Sequence, residues 1–191
     1  MAKRRRAKDV PIYQLKVTLK DTKPPIWRRL LVRSDTTLGD LHTIIQAAMG
    51  WWNYHLHQFI VGETYYGEPH PDYFDYLEML DERGVTLGQV APSEGDKFDY
   101  EYDFGDGWEH RVLVEKIAPP EPGRSYPVCI RGRRACPPED VGGTWGYVDF
   151  LDAIRDPEHP EHESYLEWIG GEFDPEAFDL DEVNDALSEL R

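Results

Sequence analysis

Cysteine is nearly absent from this chain, with two residues, Cys129 and Cys136, in 191. Two thiols are too few for a disulfide scaffold, and their spacing is not that of a zinc knuckle. Each is expected to be a free thiol packed as a small hydrophobe. Cys136 lies beside Arg133 and Arg134 and is the candidate for reactivity, because neighbouring cations lower a thiol's pKa where it is exposed. Long apolar runs are missing as well, so no membrane span and no membrane partner are expected. The opening MAKRRRAKD is basic but leads into no apolar stretch, which argues against a secretory signal. A reducing cytoplasm is the expected compartment.

Positive charge is scarce. Lys and Arg number 21 against 37 Asp and Glu, a net charge of −16. Five of the cations fall in the first eight positions, at Lys3, Arg4, Arg5, Arg6 and Lys8. Beyond them, 16 basic residues face 37 acidic ones, and Asp152 to Arg191 alone holds 14 acidic and two basic residues. Such a body repels nucleic acid over most of its surface. A nucleic-acid contact is left to residues 3–8, in an arm over 1–9 expected to be disordered.

What is present points to an ordinary folded domain. Hydrophobic residues make up 40% and aromatics 13%, which excludes a disordered chain. Residues 11–20, PIYQLKVTLK, alternate apolar and polar as a half-buried strand does, and IWRRLLVR at 26–33 reads as its hairpin partner. Leu38, Leu41, Ile44, Ile45, Ala48 and Met49 recur at helical spacing, with Thr37 placed as N-cap and Gly50 just past the end. HLHQFIV at 55–61 predicts a third strand, GETYYG a turn into a short fourth, and PHPDYFDYLEML an irregular aromatic segment. KFDYEYDFGDGWEHRVLVEKI predicts a long hairpin closed at Gly105–Gly107. Pro-rich APPEPGRSYP marks an internal boundary, YPVCIRG a short strand, and three amphipathic helical segments follow CPPEDVGG.

The expected fold is therefore α+β: a modified β-grasp (ubiquitin-like) mixed sheet with one packed helix over 10–118. A Pro-rich loop and acidic helical extension over 119–191 packs on it as one structural unit.

Chemistry-bearing residues cluster in two strand regions. His55 and His57 are two apart, and Asp103, Asp106 and His110 flank the hairpin tip. Were these elements neighbours, His55, His57 and His110 could hold a divalent metal such as zinc, with Asp103 or Asp106 as an oxygen ligand. They could equally serve acid–base chemistry. The plainer reading has the histidines hydrogen-bonding within a Tyr/Trp-rich sheet and the aspartates capping the turn. Arg28, among Trp27, Trp51, Trp52 and Trp108, joins the candidate site as a cation that could meet a ligand or partner. Gly142, Gly143 and Thr144 offer helix-start amides, though Glu139 and Asp140 oppose an anion there.

Several stretches together resemble one known family, the plasmid pRiA4b ORF-3-like proteins. They are IYQLKVTLKDTKPPIWRRLLV, TLGDLHTIIQAAMGWWNYHLHQF, YDFGDGWEHRVLVEKI, RACPPEDVGGTWGYVDFLDAI and SYLEWIGGEFDPEAFDLDEVN. The likeness runs from about Ile12 to Leu187. It departs at Val141, where members often carry cysteine, and that weighs against a thiol or metal role around Cys136. The resemblance implies no activity, since the family is uncharacterised; some members bear names tied to plasmids or insertion-element passengers. The leading expectation is a non-enzymatic or accessory binding module for a protein or small ligand. The rivals are a small metal-dependent or acid–base hydrolytic enzyme on the His/Asp cluster, and a mobile-element-associated nucleic-acid-binding accessory protein.

Overall fold

The computed structural model describes residues 10–68 and 79–191. The basic arm and most of the aromatic segment PHPDYFDYLEML lie outside the described residues. Strand β1 (Ile12–Leu19) and β2 (Trp27–Arg33) form the expected antiparallel hairpin, with Leu15 opposite Leu30 and Val17 opposite Arg28. Helix α1 (Leu38–Met49) follows. The Thr37 hydroxyl oxygen accepts from the Asp40 amide at 3.1 Å and donates to the Asp40 carboxylate at 2.7 Å. Gly50, at φ 95°, closes the helix in the left-handed conformation that glycine adopts without steric cost.

Strands β3 (His57–Val61), β4 (Thr64–Gly67) and β5 (Met79–Asp81) come next, then a 3-10 turn at Glu82–Gly84 and the one-turn helix α2 (Leu87–Val90). The long hairpin is β6 (Lys97–Tyr102) with β7 (Trp108–Ala118). Its first strand stops two residues short of the expected Phe104, because Asp103 turns to φ 56° and begins the reversal. Strand β8 (Val128–Arg133) and helices α3 (Gly143–Arg155), α4 (His162–Ile169) and α5 (Leu180–Ser188) complete the chain. Among the described residues the architecture is α+β: one eight-stranded mixed sheet, ordered β5-β4-β3-β6-β7-β1-β2-β8, with five helices. Every strand pairing is antiparallel except β4–β5.

Register decides what each face carries. One row across four strands runs Phe59, Tyr100, His110, Leu19, all buried. The next runs His57, Tyr102, Trp108. These side chains share the α1 side of the sheet, where Leu38, Leu41, Ile45 and Ala48 meet them in the core. The opposite face stays polar and carries an ion-pair ladder. Lys20 bridges Asp99 and Glu109, each at 2.9 Å, Arg111 pairs with Asp99, and Arg29 pairs with Glu115 at 2.6 Å. The C-terminal helices leave that face open. α5 packs on β8 and α1 instead. There the Asn184 carboxamide accepts from Cys129 N at 2.8 Å and donates to Cys129 O at 2.9 Å, filling both unpaired backbone groups of an edge-strand residue.

Candidate functional site

The site is built where the β6–β7 turn meets the CPPEDVGG loop. Asp103 Oδ1 accepts from Gly105 N at 2.9 Å, and Gly107 N donates to Asp103 O at 2.6 Å, so the turn is tied to its own first residue. The loop docks on it through backbone. Gly142 N donates to Asp106 Oδ2 at 3.1 Å, and a side chain at Gly143 would stand 2.3 Å from Asp106 O. Asp106 is thus a docking residue, and it fills the amide at which sequence reasoning placed a possible anion.

This docking presents Glu139 and Asp140 to His55. His55 Nε2 lies 3.0 Å from Asp140 Oδ1, 3.6 Å from Asp103 Oδ2 and 3.9 Å from Glu139 Oε2. Glu139 is itself held: its carboxylate accepts from Trp52 N at 2.8 Å and from Tyr102 Oη at 3.1 Å. Tyr102 Oη in turn accepts from Tyr54 N at 3.0 Å. Burial, and then the Glu139 charge, push the Tyr102 phenol well above its ordinary range, so it remains a donor.

The other predicted site residues are placed elsewhere. Among the described residues, the potential ligand atoms lying within 4.8 Å of one another in a group of three are those of His55, Asp103 and Asp140. The expected set His55, His57 and His110 is therefore not assembled, since register places His57 and His110 on different rows with different partners. His57 Nε2 is 2.8 Å from the buried Glu82 carboxylate, and its ring stacks on His42 at 3.4 Å between centroids. His42 reaches Tyr100 Oη and Asn53 Oδ1, each at 2.8 Å. His110 is fully buried, with Nδ1 3.3 Å from Tyr100 O and its ring edge-on to Trp51. Burial holds His42 down to about 3 and His110 down to about 4, so both are neutral and neither can act as an acid near neutral pH.

Arg28 is buried beneath the C-terminal end of α1. It donates to Ala48 O at 2.8 Å, Trp27 O at 3.0 Å and Arg133 O at 3.1 Å, and lies over the Phe178 ring at 4.7 Å. Cys136 does not behave as its arginine neighbours suggest. Burial pushes its thiol up against the opposing pull of Arg28, while Arg134 is drawn away to Pro24 O at 2.8 Å and Glu176 at 2.9 Å.

Beside the His55 cluster opens a groove of about 800 Å³, between the 51–54 loop, the 135–140 loop and α4–α5. Trp52, Tyr54 and Trp168 stand on its walls, 71%, 72% and 47% exposed. Asp140, Asp179 and Glu182 line its exposed rim, and Arg28 its floor. Sequence reasoning did not find His42, Glu82, or the joining of Asp140 to His55. The spacing from His55 to Asp140 leaves no local pattern, and the one signal was the Gly-Gly that permits the loop to dock.

Comparison with known proteins places the chain in a family. The family model for the plasmid pRiA4b ORF-3-like proteins matches residues 11–182. An uncharacterized protein, y4hQ, of Sinorhizobium fredii is 40% identical over 181 residues, covering 94% of this chain and 92% of that one. The crystal structure of a protein of unknown function, MM3350, from Methanosarcina mazei Go1 superposes with a TM-score of 0.82 at 38% identity, covering 91% of this chain and 98% of that one. The chain belongs to the plasmid pRiA4b ORF-3-like family.

Proposed function

We propose that this chain is a non-enzymatic binding module that takes a cationic segment of a partner protein into the groove between the 51–54 loop and α4–α5. The observation that carries this is the chemistry of the walls. Three exposed aromatic rings, Trp52, Tyr54 and Trp168, share the groove with the rim carboxylates Asp140, Asp179 and Glu182. Single exposed aromatics need no explanation, but a group of them around one concavity marks a contact surface. Aromatic faces attract Lys and Arg by about 0.5–1 kcal/mol at exposed positions and about 2 when water is excluded. The carboxylates and the net charge of −16 add longer-range attraction, which raises the encounter rate of cations. Arg28, the one cation lining the groove among the described residues, is engaged with three backbone carbonyls and the Phe178 face. A phosphate backbone would find no free cation there, so a nucleic-acid role falls to residues 3–8.

We further read the β1–β2 hairpin, α1 and the strands that follow as an elaborated β-grasp core. Its support is the order hairpin, helix, strand, with the helix packed on one face of the sheet.

Calorimetric titration with hexalysine, and with hexaglutamate as control, tests the function. Hexalysine should bind one to one, and its affinity should fall by about tenfold or more as salt rises from low millimolar to ~0.5 M, where screening shortens to a few ångströms. Trp52→Ala and Glu182→Lys should each weaken it about fivefold. Equal binding of both peptides, or variants that bind like the parent, would defeat the reading.

A further inference from the structure

We infer that His55, Asp103 and Asp140 hold one divalent metal ion, through a nitrogen–oxygen donor set suited to Mn2+ or Zn2+, beside the groove. The separations from His55 Nε2, 3.0 Å to Asp140 Oδ1 and 3.6 Å to Asp103 Oδ2, are close to those of atoms sharing a centre. Bonds of ~2.1 Å to one ion put neighbouring ligand atoms about 3.0–3.5 Å apart in octahedral or tetrahedral geometry.

Two further observations point to a cation. Asp103 is a buried carboxylate whose Oδ1 is taken by the turn amides, while Oδ2 lies 3.6 Å from the imidazole and makes no hydrogen bond among the described residues. His55 Nε2 is itself buried and has no partner in hydrogen-bond geometry, although the Asp140 oxygen is only 3.0 Å away. A nitrogen this close to carboxylate oxygens yet not hydrogen-bonded to them keeps its lone pair for an ion.

Charge agrees with this reading. Three carboxylates, Asp103, Glu139 and Asp140, gather on one imidazole, and none of their close ionic contacts is to Lys or Arg among the described residues. A protonated His55 would supply one positive charge and one Nε2 proton for three oxygens, whereas a divalent ion supplies two charges and several coordination positions. Glu139, with its oxygens already on Trp52 N and Tyr102 Oη, bounds the site and fixes the loop that carries Asp140. One imidazole with carboxylate oxygens favours a borderline or hard ion over the soft ions that thiolates select.

The test uses the full chain, stripped with chelator and titrated with MnCl2, with free Mn2+ read by its electron paramagnetic resonance signal. One equivalent should bind and be displaced by Zn2+. His55→Gln and Asp103→Asn should each weaken it by about tenfold or more, while Glu163→Gln, on the exposed face of α4, should leave it unchanged. Should either variant unfold, the wild-type protein still decides the question. Substoichiometric Mn2+ should broaden the ring signals of His55 before those of His159 and His162. Absence of a tight equivalent, equal binding in folded variants, or broadening that begins at other histidines would overturn the site.

Discussion

Tyr100 shows how single buried residues fix the environment around the site. Its hydroxyl accepts from Gln46 Nε2 at 2.9 Å and lies 2.8 Å from His42 Nδ1, while its carbonyl faces His110 Nδ1. Two neutral histidines are thereby held in a buried layer of rings, and this has a consequence for stability. Burial depresses the folded values of His42 to about 3 and His110 to about 4, against 6.5 for a free imidazole. The unfolded chain therefore binds more protons once pH falls below about 6.5. Stability should be full above that pH and decline by a few kcal/mol toward pH 4, before carboxylate titration dominates. Urea unfolding at a series of pH values should show this slope, and His110→Gln should flatten it even though the variant is less stable at pH 7. At this scale the plain reading of the histidines as hydrogen-bonded within the sheet fits His110, which faces Tyr100 O, but not His57, which meets Glu82 outside the sheet. It did not distinguish them from His55, because nothing local in the sequence says which imidazole will meet Glu139 and Asp140.

Elements were legible where contacts are local. The two long hairpins, α1 with its Thr37 cap and Gly50 stop, and the three C-terminal helices follow from alternation, helical spacing and caps within short windows. The docking of the CPPEDVGG loop on the β6–β7 turn was not legible, because it joins the Gly142 amide to the Asp106 carboxylate across a 36-residue separation. Glycine was its one trace. A Cβ at Gly143 would fall 2.3 Å from Asp106 O at φ +68°, and one at Gly146 would fall 2.0 Å from Val141 O. Gly143→Ala should therefore cost about 3 kcal/mol, combining left-handed strain with overpacking against backbone that cannot move aside. It should also loosen Asp140 from His55. A urea midpoint shift together with a changed His55 ring signal would check both effects. Asn184 governs the other docked edge. Asn184→Leu leaves both backbone groups of Cys129 without partners and should destabilise by about 1–3 kcal/mol.

For the whole molecule, charge and architecture divide the labour. The polar sheet face is covered by its own ion pairs, while the helical side gathers carboxylates and exposed rings around one groove. Composition made the acidity plain, and no helix among the described residues is long and apolar enough to cross a membrane. The groove's location was hidden, because it forms only when three separate segments of the chain converge. The most direct measurement is a two-dimensional NMR titration with hexalysine that follows the six tryptophan indole signals. Saturable shifts are expected at Trp52 and Trp168, with little change at the buried Trp108 and reversal by salt. Unmoved Trp52 and Trp168 signals at saturating peptide, or shifts confined to Trp27, whose ring lies under Lys16 and Arg29, would contradict it.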